Sequence, residues 1–264
     1  MTRVVKVGGA VGNEVGPLLD ELALERDVVL VHGGSEEIDR LGTELHRPPE
    51  YYTSPSGVVS RRSTAANLEV VTWALAGGVQ TRLVAGLNAR GARAVGLSGA
   101  DGSLLVARRK TGIRAVVEGR TIALADDLSG AVVETRTGVL ELLLGGGYLP
   151  VVGPPAVGRD GELLNVDADQ VAAAVAAGLH ASELVLLTNV PGLLRDPADP
   201  TSRIPEVPHE SLESVLPLAK GRMRKKLHAA RDALGAGVGR VVIAPSAGPS
   251  PLARALAGEG TVLR

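Results

Sequence analysis

Two lysines far apart in the chain stand in settings that suit an anion. Lys6 closes an apolar run, Val4-Val5-Lys6-Val7, and is followed by Gly8 and Gly9. Lys226 ends the basic run Gly221-Arg222-Met223-Arg224-Lys225-Lys226. A strand that ends in Lys and two glycines sets an ammonium beside bare backbone, whose N–H groups can approach an anion closely. A transferring phosphoryl group needs that combination, because its charge must be spread and neutralised in the transition state. Alone, Lys6-Val7-Gly8-Gly9 is also how an ordinary strand enters a turn. A second such turn, Val31-His32-Gly33-Gly34-Ser35, makes the pair more specific. Two glycine turns at the ends of neighbouring parallel strands form one electropositive rim, and ligands of open α/β sheets bind outside the carboxyl ends of strands. His32 reads as a structural histidine rather than a base or ligand.

Asn165-Val166-Asp167-Ala168-Asp169-Gln170 stands at a helix start. One Asn or Asp would suffice to cap that helix. Three are present, so one is expected to bind substrate and one to orient lysines. Gly221 to Lys226 is either a solvated basic face or a helix start whose amides point at an anion. Arg108-Arg109-Lys110 is evenly balanced between solvated surface and a partner-binding patch. No Gly-x-Gly-x-x-Gly follows the first strand and no Gly-x-x-x-x-Gly-Lys-Ser/Thr occurs, so neither a Rossmann dinucleotide site nor a Walker P-loop is supported.

The elements that must position these residues alternate strand and helix. Thr2 to Val7 and Val28 to Val31 read as buried parallel strands, with helices predicted from Gly16 to Arg26 and Ser35 to Leu45. Arg47 to Thr64 reads as a long functional loop. Two helices, Ala65 to Gly77 and Val79 to Arg90, lead to a strand at Ala94 to Leu97. Leu104 to Val106, Ala115 to Val117 and Arg120 to Leu124 are shorter strands, with Glu118-Gly119 a hairpin turn. Thr137 to Leu144 is a helix, Leu149 to Val152 a strand, Ala168 to Leu179 a helix and Leu184 to Leu187 a strand. Asp196 to Pro208 reads as loop, Lys225 to Leu234 as helix and Arg240 to Ile243 as a late strand. This alternation predicts an α/β fold, a mainly parallel sheet with helices on both faces.

The chain has 264 residues, enough for one large domain or two lobes sharing a sheet. With 2% aromatics and no Phe, the core must be Val, Leu, Ala and Ile. A formal net charge of −1 gives no global pull toward nucleic acid. Without cysteine there are no disulfides or thiolate metal sites. No charged segment precedes an apolar one at the start, and no apolar run reaches the roughly 20 residues of a spanning helix. The expectation is a soluble, cytoplasmic protein without a membrane or nucleic-acid partner.

These motifs, in this order, resemble the amino-acid kinase family, in its acetylglutamate kinase branch. The resemblance also rests on Gly147-Tyr148-Leu149-Pro150-Val151 and Leu187-Thr188-Asn189-Val190-Pro191-Gly192, and it covers essentially the whole chain. It implies a three-layer α/β/α sandwich, with residues 1–157 as the acyl-substrate lobe and 158–264 as the ATP lobe. It implies that Lys6 and Lys226 are the transition-state lysines and Asp169 the carboxylate that holds them. Gly8 and Gly9 would bind phosphate; Gly33, Gly34, Ser35, Arg61 and Asn165 would meet the acyl substrate. Thr188, Asn189, Gly221 and Met223 would meet the nucleotide. ATP is the implied cosubstrate, with Mg²⁺ arriving on its phosphates and no resident metal.

The chain departs from the acetylglutamate kinase pattern, with Val59-Ser60-Arg61-Arg62-Ser63 in place of Gly-Leu-Arg-Val-Thr and Ser35 in place of a third glycine. Ser54-Pro55-Ser56-Gly57-Val58-Val59-Ser60-Arg61, Leu97 to Gly102 and Arg108-Arg109-Lys110-Thr111 are instead similar to the branch that phosphorylates L-2-aminoadipate attached to an amino-group carrier protein in lysine biosynthesis. That branch implies a small acidic carrier as partner. The expected reaction turns a side-chain carboxylate into an acyl phosphate. Free N-acetyl-L-glutamate, for arginine biosynthesis, and carrier-linked glutamate stay open as substrates. A non-catalytic nucleotide or effector sensor on the same fold should lack one of Lys6, Lys226 and Asp169. A homodimer is expected.

Overall fold

The computed structural model describes residues 1–9, 14–55 and 57–264. Ser56 of the substrate-loop motif therefore lies outside the described residues. The chain opens with β1 (Arg3–Val7), α1 (Gly16–Leu22), β2 (Val28–His32) and α2 (Ser35–Glu44). The hairpin β3 (Tyr51–Thr53) and β4 (Val59–Arg61) follows, then α3 (Ala65–Thr72), α4 (Gln80–Asn88) and β5 (Ala94–Ser98). Next come β6 (Leu105–Arg109), the hairpin β7 (Arg114–Val117) and β8 (Arg120–Ala123), β9 (Gly130–Thr135), α5 (Gly138–Gly145) and β10 (Leu149–Gly153). After the short β11 (Ala156–Val157) and β12 (Leu163–Leu164) come α6 (Ala168–Gly178), β13 (Glu183–Thr188) and β14 (Glu206–Val207). The chain closes with α7 (Leu212–Val215), α8 (Gly221–Gly235), β15 (Arg240–Pro245), α9 (Pro251–Leu256) and β16 (Thr261–Leu263).

One eight-stranded sheet, in the order β14-β16-β15-β13-β1-β2-β10-β5, carries the molecule. Its pairings are parallel except that between β15 and β16. Alternate residues of each strand feed two cores, because side chains of a strand point to opposite faces. Val4, Val29, Val31, Leu184 and Leu186 pack with α5, α6 and α8. Val5, Leu30, Val151, Val185 and Leu187 pack with α1, α4 and α9. The result is a three-layer α/β/α sandwich. By the same alternation Lys6 falls on the face of α6 and α8. A second, mixed sheet, β12-β11-β6-β9, flanks this frame.

Several boundaries differ from the sequence reading. Helix α1 ends at Leu22 because Leu24 and Glu25 close tight turns on Glu21 and Leu22, and Asp27 takes a left-handed φ of 55° before β2. The segment read as a long loop contains the β3–β4 hairpin; three-residue strands fall below the length at which period-2 alternation is detectable. The two helices expected around Gly77-Gly78 are one continuous run. A π-helical stretch, Trp73–Val79, carries α3 into α4 without a break. By length and hydropathy the run Ala65–Asn88 could cross a membrane. Here Leu68, Val70, Val71, Ala74 and Leu75 pack with Ile38 of α2 instead. Strands β9, β14 and β16 and helix α9 were not foreseen. The β7–β8 turn is as expected: Glu118 and Gly119 both have positive φ.

Candidate active site

In the sheet, β1 lies between β13 and β2, so the chain runs one way from β1 into β2 and later returns on the other side to β13. The carboxyl ends of β1 and β13 thus flank a topological switch point, where open α/β sheets leave a crevice for ligands. Lys6 stands next to the end of β1 and Thr188 ends β13.

Asp169, in the first turn of α6, receives both lysines. Lys6 Nζ lies 2.7 Å from Asp169 Oδ1. Lys226 Nζ, from the second turn of α8, donates to Oδ1 and Oδ2 at 3.0 and 2.9 Å. All three side chains are buried. Burial alone would raise the Asp169 pKa, but the Lys6 and Lys226 charges and their hydrogen bonds overcome it and hold the carboxyl far below its usual range. Lys226 is pushed down, first by burial and then by the Lys6 charge, against the opposing pull of Asp169. One carboxylate cannot neutralise two ammonium groups, so this buried cluster carries an unmatched positive charge.

The three polar residues at the start of α6 divide the work. Asp167 is the N-cap and accepts from the Asp169 amide at 2.9 Å. Its other oxygen lies 3.5 Å from Lys225 Nζ. Asp169 is therefore released from capping to hold the lysines. Asn165 donates from Nδ2 to Ser63 Oγ at 2.9 Å.

The two glycine turns touch. A Cβ on Gly9 would stand 2.2 Å from Gly34 Cα, and one on Gly34 would stand 2.5 Å from Leu75 Cδ2. Only glycine lets these backbones meet. The Gly8 amide is committed to Leu187 O and that of Gly33 to Val7 O, each at 3.2 Å. Among the described residues no acceptor takes the amides of Gly9 or Gly34. Those two are the N–H groups left for an anion. Ser35 braces the turn by donating from Oγ to Gly9 O at 3.0 Å. His32 is fully buried, and burial lowers its pKa to about 4 against its contacts with Gln80 and the Gly33 carbonyl. It is neutral at pH 7, as befits a structural histidine.

Arg61 is already engaged. Its Nη2 donates to Asp39 Oδ1 at 2.5 Å, to the Tyr51 hydroxyl at 3.0 Å and to Ser35 O at 3.3 Å. Its Nε, on the same edge as the engaged Nη2, is buried and has no acceptor among the described residues. Gly221 opens α8 with a φ of 52° and faces open space. Met223 packs on the core beneath. Thr188 is buried with its carbonyl held by the Ser246 amide, and Asn189 follows it. Among the described residues no cluster of three or more His, Cys, Asp or Glu side chains is placed to hold a metal ion. A cleft of about 220 Å³, lined by Gly8, Gly9, Gly33 and Gly34, opens toward α1 and α4. On its wall Glu37 pairs with both Arg40 and Arg82, and none of Lys6, Asp169 and Lys226 lines it.

Sequence reasoning did not find Asp39, the partner of Arg61, nor Ser63, Asp127 and Ser129 around Asn165. Single serines and aspartates carry no periodic signal. Nor are Arg62 and Arg109 free for a partner. Arg62 is spent on Glu50 and, bidentately, on Asp126. Arg109 clamps the Asp127 and Ala125 carbonyls at 2.8 Å each.

Residues 1–245 match the sequence profile of the Amino acid kinase family. The [LysW]-aminoadipate kinase of Deinococcus radiodurans is 45% identical over 98% of this chain and 90% of its own length. That of Thermus thermophilus is 44% identical over 99% of each. The acetylglutamate kinase of Methanopyrus kandleri is 39% identical over 99% of this chain and all of its own. Among solved structures, N-acetylglutamate synthase from Neisseria gonorrhoeae superposes with a TM-score of 0.77 at 27% identity, over 99% of this chain and 59% of that one. Isopentenyl phosphate kinase of T. acidophilum, at 16% identity and a TM-score of 0.64 over the whole of both chains, shares the fold. With the sandwich, the switch-point lysines and these matches in agreement, the chain belongs to the amino acid kinase family.

Proposed function

We propose that this protein is an ATP-dependent kinase that phosphorylates the side-chain carboxylate of L-2-aminoadipate linked through its α-nitrogen to an amino-group carrier protein, in lysine biosynthesis. The observation that carries the reading is the buried Lys6–Asp169–Lys226 cluster, whose surplus positive charge sits where a phosphoryl group would pass. The two relatives named for this substrate, each more than 40% identical, support the choice of acceptor.

A carboxylate nucleophile is ionised at pH 7, so the reaction needs no general base. Its oxygen attacks the γ-phosphorus, the bond to the β–γ bridging oxygen breaks, and ADP leaves with that electron pair. The barrier is repulsion between two anions. Lys6 offsets it on the acceptor side and Lys226 on the nucleotide side. Asp169 keeps both ammonium groups aimed and opposes the fall of the Lys226 pKa. The Gly9 and Gly34 amides hold the phosphoryl oxygens, while Gly8 and Gly33 let the backbone come close. Arg61 and Asn165 hold the acyl substrate beside Ser35. Thr188, Asn189, Gly221 and Met223 hold the nucleotide. Mg²⁺ enters as part of that substrate, bound to its phosphates. In this reading residues 1–157 form the acyl lobe and 158–264 the nucleotide lobe.

An acidic carrier would dock on the cations that the fold leaves unpaired. Arg108, Lys110, Arg114 and Arg120 are exposed and make no ion pair or side-chain hydrogen bond among the described residues. They surround the β7–β8 hairpin, whose Val116, Val117 and Ile122 are 40 to 47% exposed. β7 packs against β3 beside Arg61.

The 39% identity to an acetylglutamate kinase keeps free N-acetyl-L-glutamate as the second reading. The deciding assay offers the purified enzyme carrier-linked aminoadipate, free N-acetylaminoadipate and free N-acetylglutamate, and traps the acyl phosphate with hydroxylamine. Preference for carrier-linked aminoadipate is expected. Preference for free N-acetylglutamate would replace it with the second reading.

A further inference from the structure

Between Arg61 and Asn165 lies a buried polar knot that the chemistry above leaves unused. Ser63 is fully buried and Asp127 is 1% exposed. The Asp127 carboxylate accepts from the Ser63 amide at 2.9 Å through one oxygen and from the Ser129 amide at 2.8 Å through the other. Ser63 O accepts from the Leu128 amide at 2.7 Å. Leu128 O accepts from the Asn165 amide at 2.9 Å, and Asn165 O from the Gly130 amide at 2.8 Å. At the centre, Ser63 Oγ receives Asn165 Nδ2 at 2.9 Å and Ser129 Oγ at 3.3 Å. Three segments distant in sequence meet here: the residues after β4, the loop before β9 and the approach to α6.

A carboxamide has a donor edge and an acceptor edge of nearly equal shape, and it reverses unless a partner chooses between them. A hydroxyl oxygen has two lone pairs. The Ser129 hydroxyl donates to Ser63 Oγ, and Asn165 is seated with Nδ2 on the same oxygen, which leaves Oδ1 and the second N–H of Nδ2 for the substrate. On an N-acylated amino acid with both carboxylates ionised, the amide N–H is the sole donor that Oδ1 can meet.

We infer that Ser63, fixed by Asp127 and Ser129, is a positioning residue that sets the orientation of the Asn165 carboxamide and so directs its carbonyl to the acylated α-nitrogen of the substrate. This rests on the proposal that Asn165 contacts the acyl substrate. Ser63 acts only through Asn165, so losing either one should remove the same interaction.

The test is a double-mutant cycle of Ser63→Ala and Asn165→Ala, with Ser63→Thr as the conservative variant. Steady-state kinetics are measured on the acyl acceptor that the wild-type enzyme turns over best, and the KM for ATP and the thermal midpoint are recorded in parallel. Ser63→Ala and Asn165→Ala should each raise the acceptor KM about tenfold, the scale of one hydrogen bond, with kcat and the ATP KM near wild type. The double variant should be no worse than Asn165→Ala alone. Ser63→Thr, which keeps the hydroxyl, should restore the wild-type KM. Should Ser63→Ala not fold, Ser129→Ala leaves the Ser63 hydroxyl in place and should raise the same KM to a smaller extent. Additive losses, a wild-type acceptor KM in Ser63→Ala or Ser129→Ala, or failure of Ser63→Thr to rescue would overturn the inference. A wild-type acceptor KM in Asn165→Ala would instead remove Asn165 from the substrate site, a failure of the underlying proposal that the cycle separates from the others.

Discussion

Two lysine ammonium groups in a buried site share one carboxylate here. Lys6→Ala and Lys226→Ala should each lower kcat by about 10²-fold or more, with smaller changes in KM, because each acts on charge that develops in the transition state. Near-normal turnover in either variant would remove it from the site. Burial and the neighbouring ammonium depress the Lys226 pKa, so the alkaline limb of kcat/KM, which reports the free enzyme, should fall below the value of about 10.4 for a free lysine. Asp169→Asn removes the counter-charge and should shift that limb to still lower pH while turnover falls. The α6 cap should survive, because Asp167 supplies it. An unshifted limb with full turnover would show that Asp169 does not sustain the lysines. The sign is opposite for acid stability. The folded pKa of Asp169 lies below its unfolded value, so its contribution is full above about pH 3.9 and fades only as pH falls through the lowered folded value.

Turns and hairpins supply what single residues cannot. The two glycine turns meet so closely that Gly9→Ala would force a Cβ onto the Gly34 backbone at 2.2 Å. Gly34→Ala meets only side-chain methyls of Leu75 and Val79, which can move. Both should lose activity. Gly9→Ala should also lower the thermal midpoint more, since backbone cannot step aside; equal midpoints would contradict the contact. The π-helical stretch Trp73–Val79 is what brings Leu75 and Val79 over Gly34, linking the helix pair to the rim. On the β7–β8 side, charge reversal at Arg108, Arg114 and Arg120 should lower kcat/KM for a carrier-linked substrate and weaken its salt dependence, while sparing a small acylated analogue. Rim charges act mainly on association rate and are screened by salt. Reversal at Arg109 should cost folding stability instead, as it holds the Asp127 and Ala125 carbonyls, whereas reversal at Arg62, whose partners Glu50 and Asp126 are exposed, should cost little. Equal losses on both substrates after the Arg108, Arg114 and Arg120 reversals would argue for a free-amino-acid kinase.

For the molecule as a whole, one sheet spans both halves of the chain, and its central pair, β1 and β13, comes one from each half. Lys6 arrives from the first half, Asp169 and Lys226 from the second, and their contact is made across that seam. Anything that loosens the β1–β13 register should therefore affect catalysis before it unfolds the flanking helices. Val185→Ala, inside β13 and facing α1, α4 and α9, should destabilise by about 1–3 kcal/mol through the lost methyl groups and the residual cavity, read as a lowered midpoint in denaturant. A change within 0.5 kcal/mol would mean that the seam repacks freely.

The sequence by itself determined the local pieces. Short β-branched apolar runs bounded by turn residues, such as Val28-Val29-Leu30-Val31 before His32-Gly33-Gly34, read as strands buried on both faces, and strands so buried need helices above and below. Two strands that run into Gly-Gly marked the paired turns, and their order with Asp169 and Lys226 marked the family resemblance. Tertiary structure decided the rest, because it depended on which distant groups meet. The sequence offered Asn165, Asp167 and Asp169 as equals; only the approach of α8 to α6 made Asp167 the cap and Asp169 the counter-ion. It offered Arg108-Arg109-Lys110 as one basic run; folding engaged Arg109 with the Asp127 and Ala125 carbonyls and left Arg108 exposed. Ser63, Asp127 and Ser129 gave no signal in one dimension, since a hydrogen-bond network has no period. Periodicity is written in neighbouring residues and can be read along the chain, whereas charge pairing and polar satisfaction are settled only when the chain returns on itself.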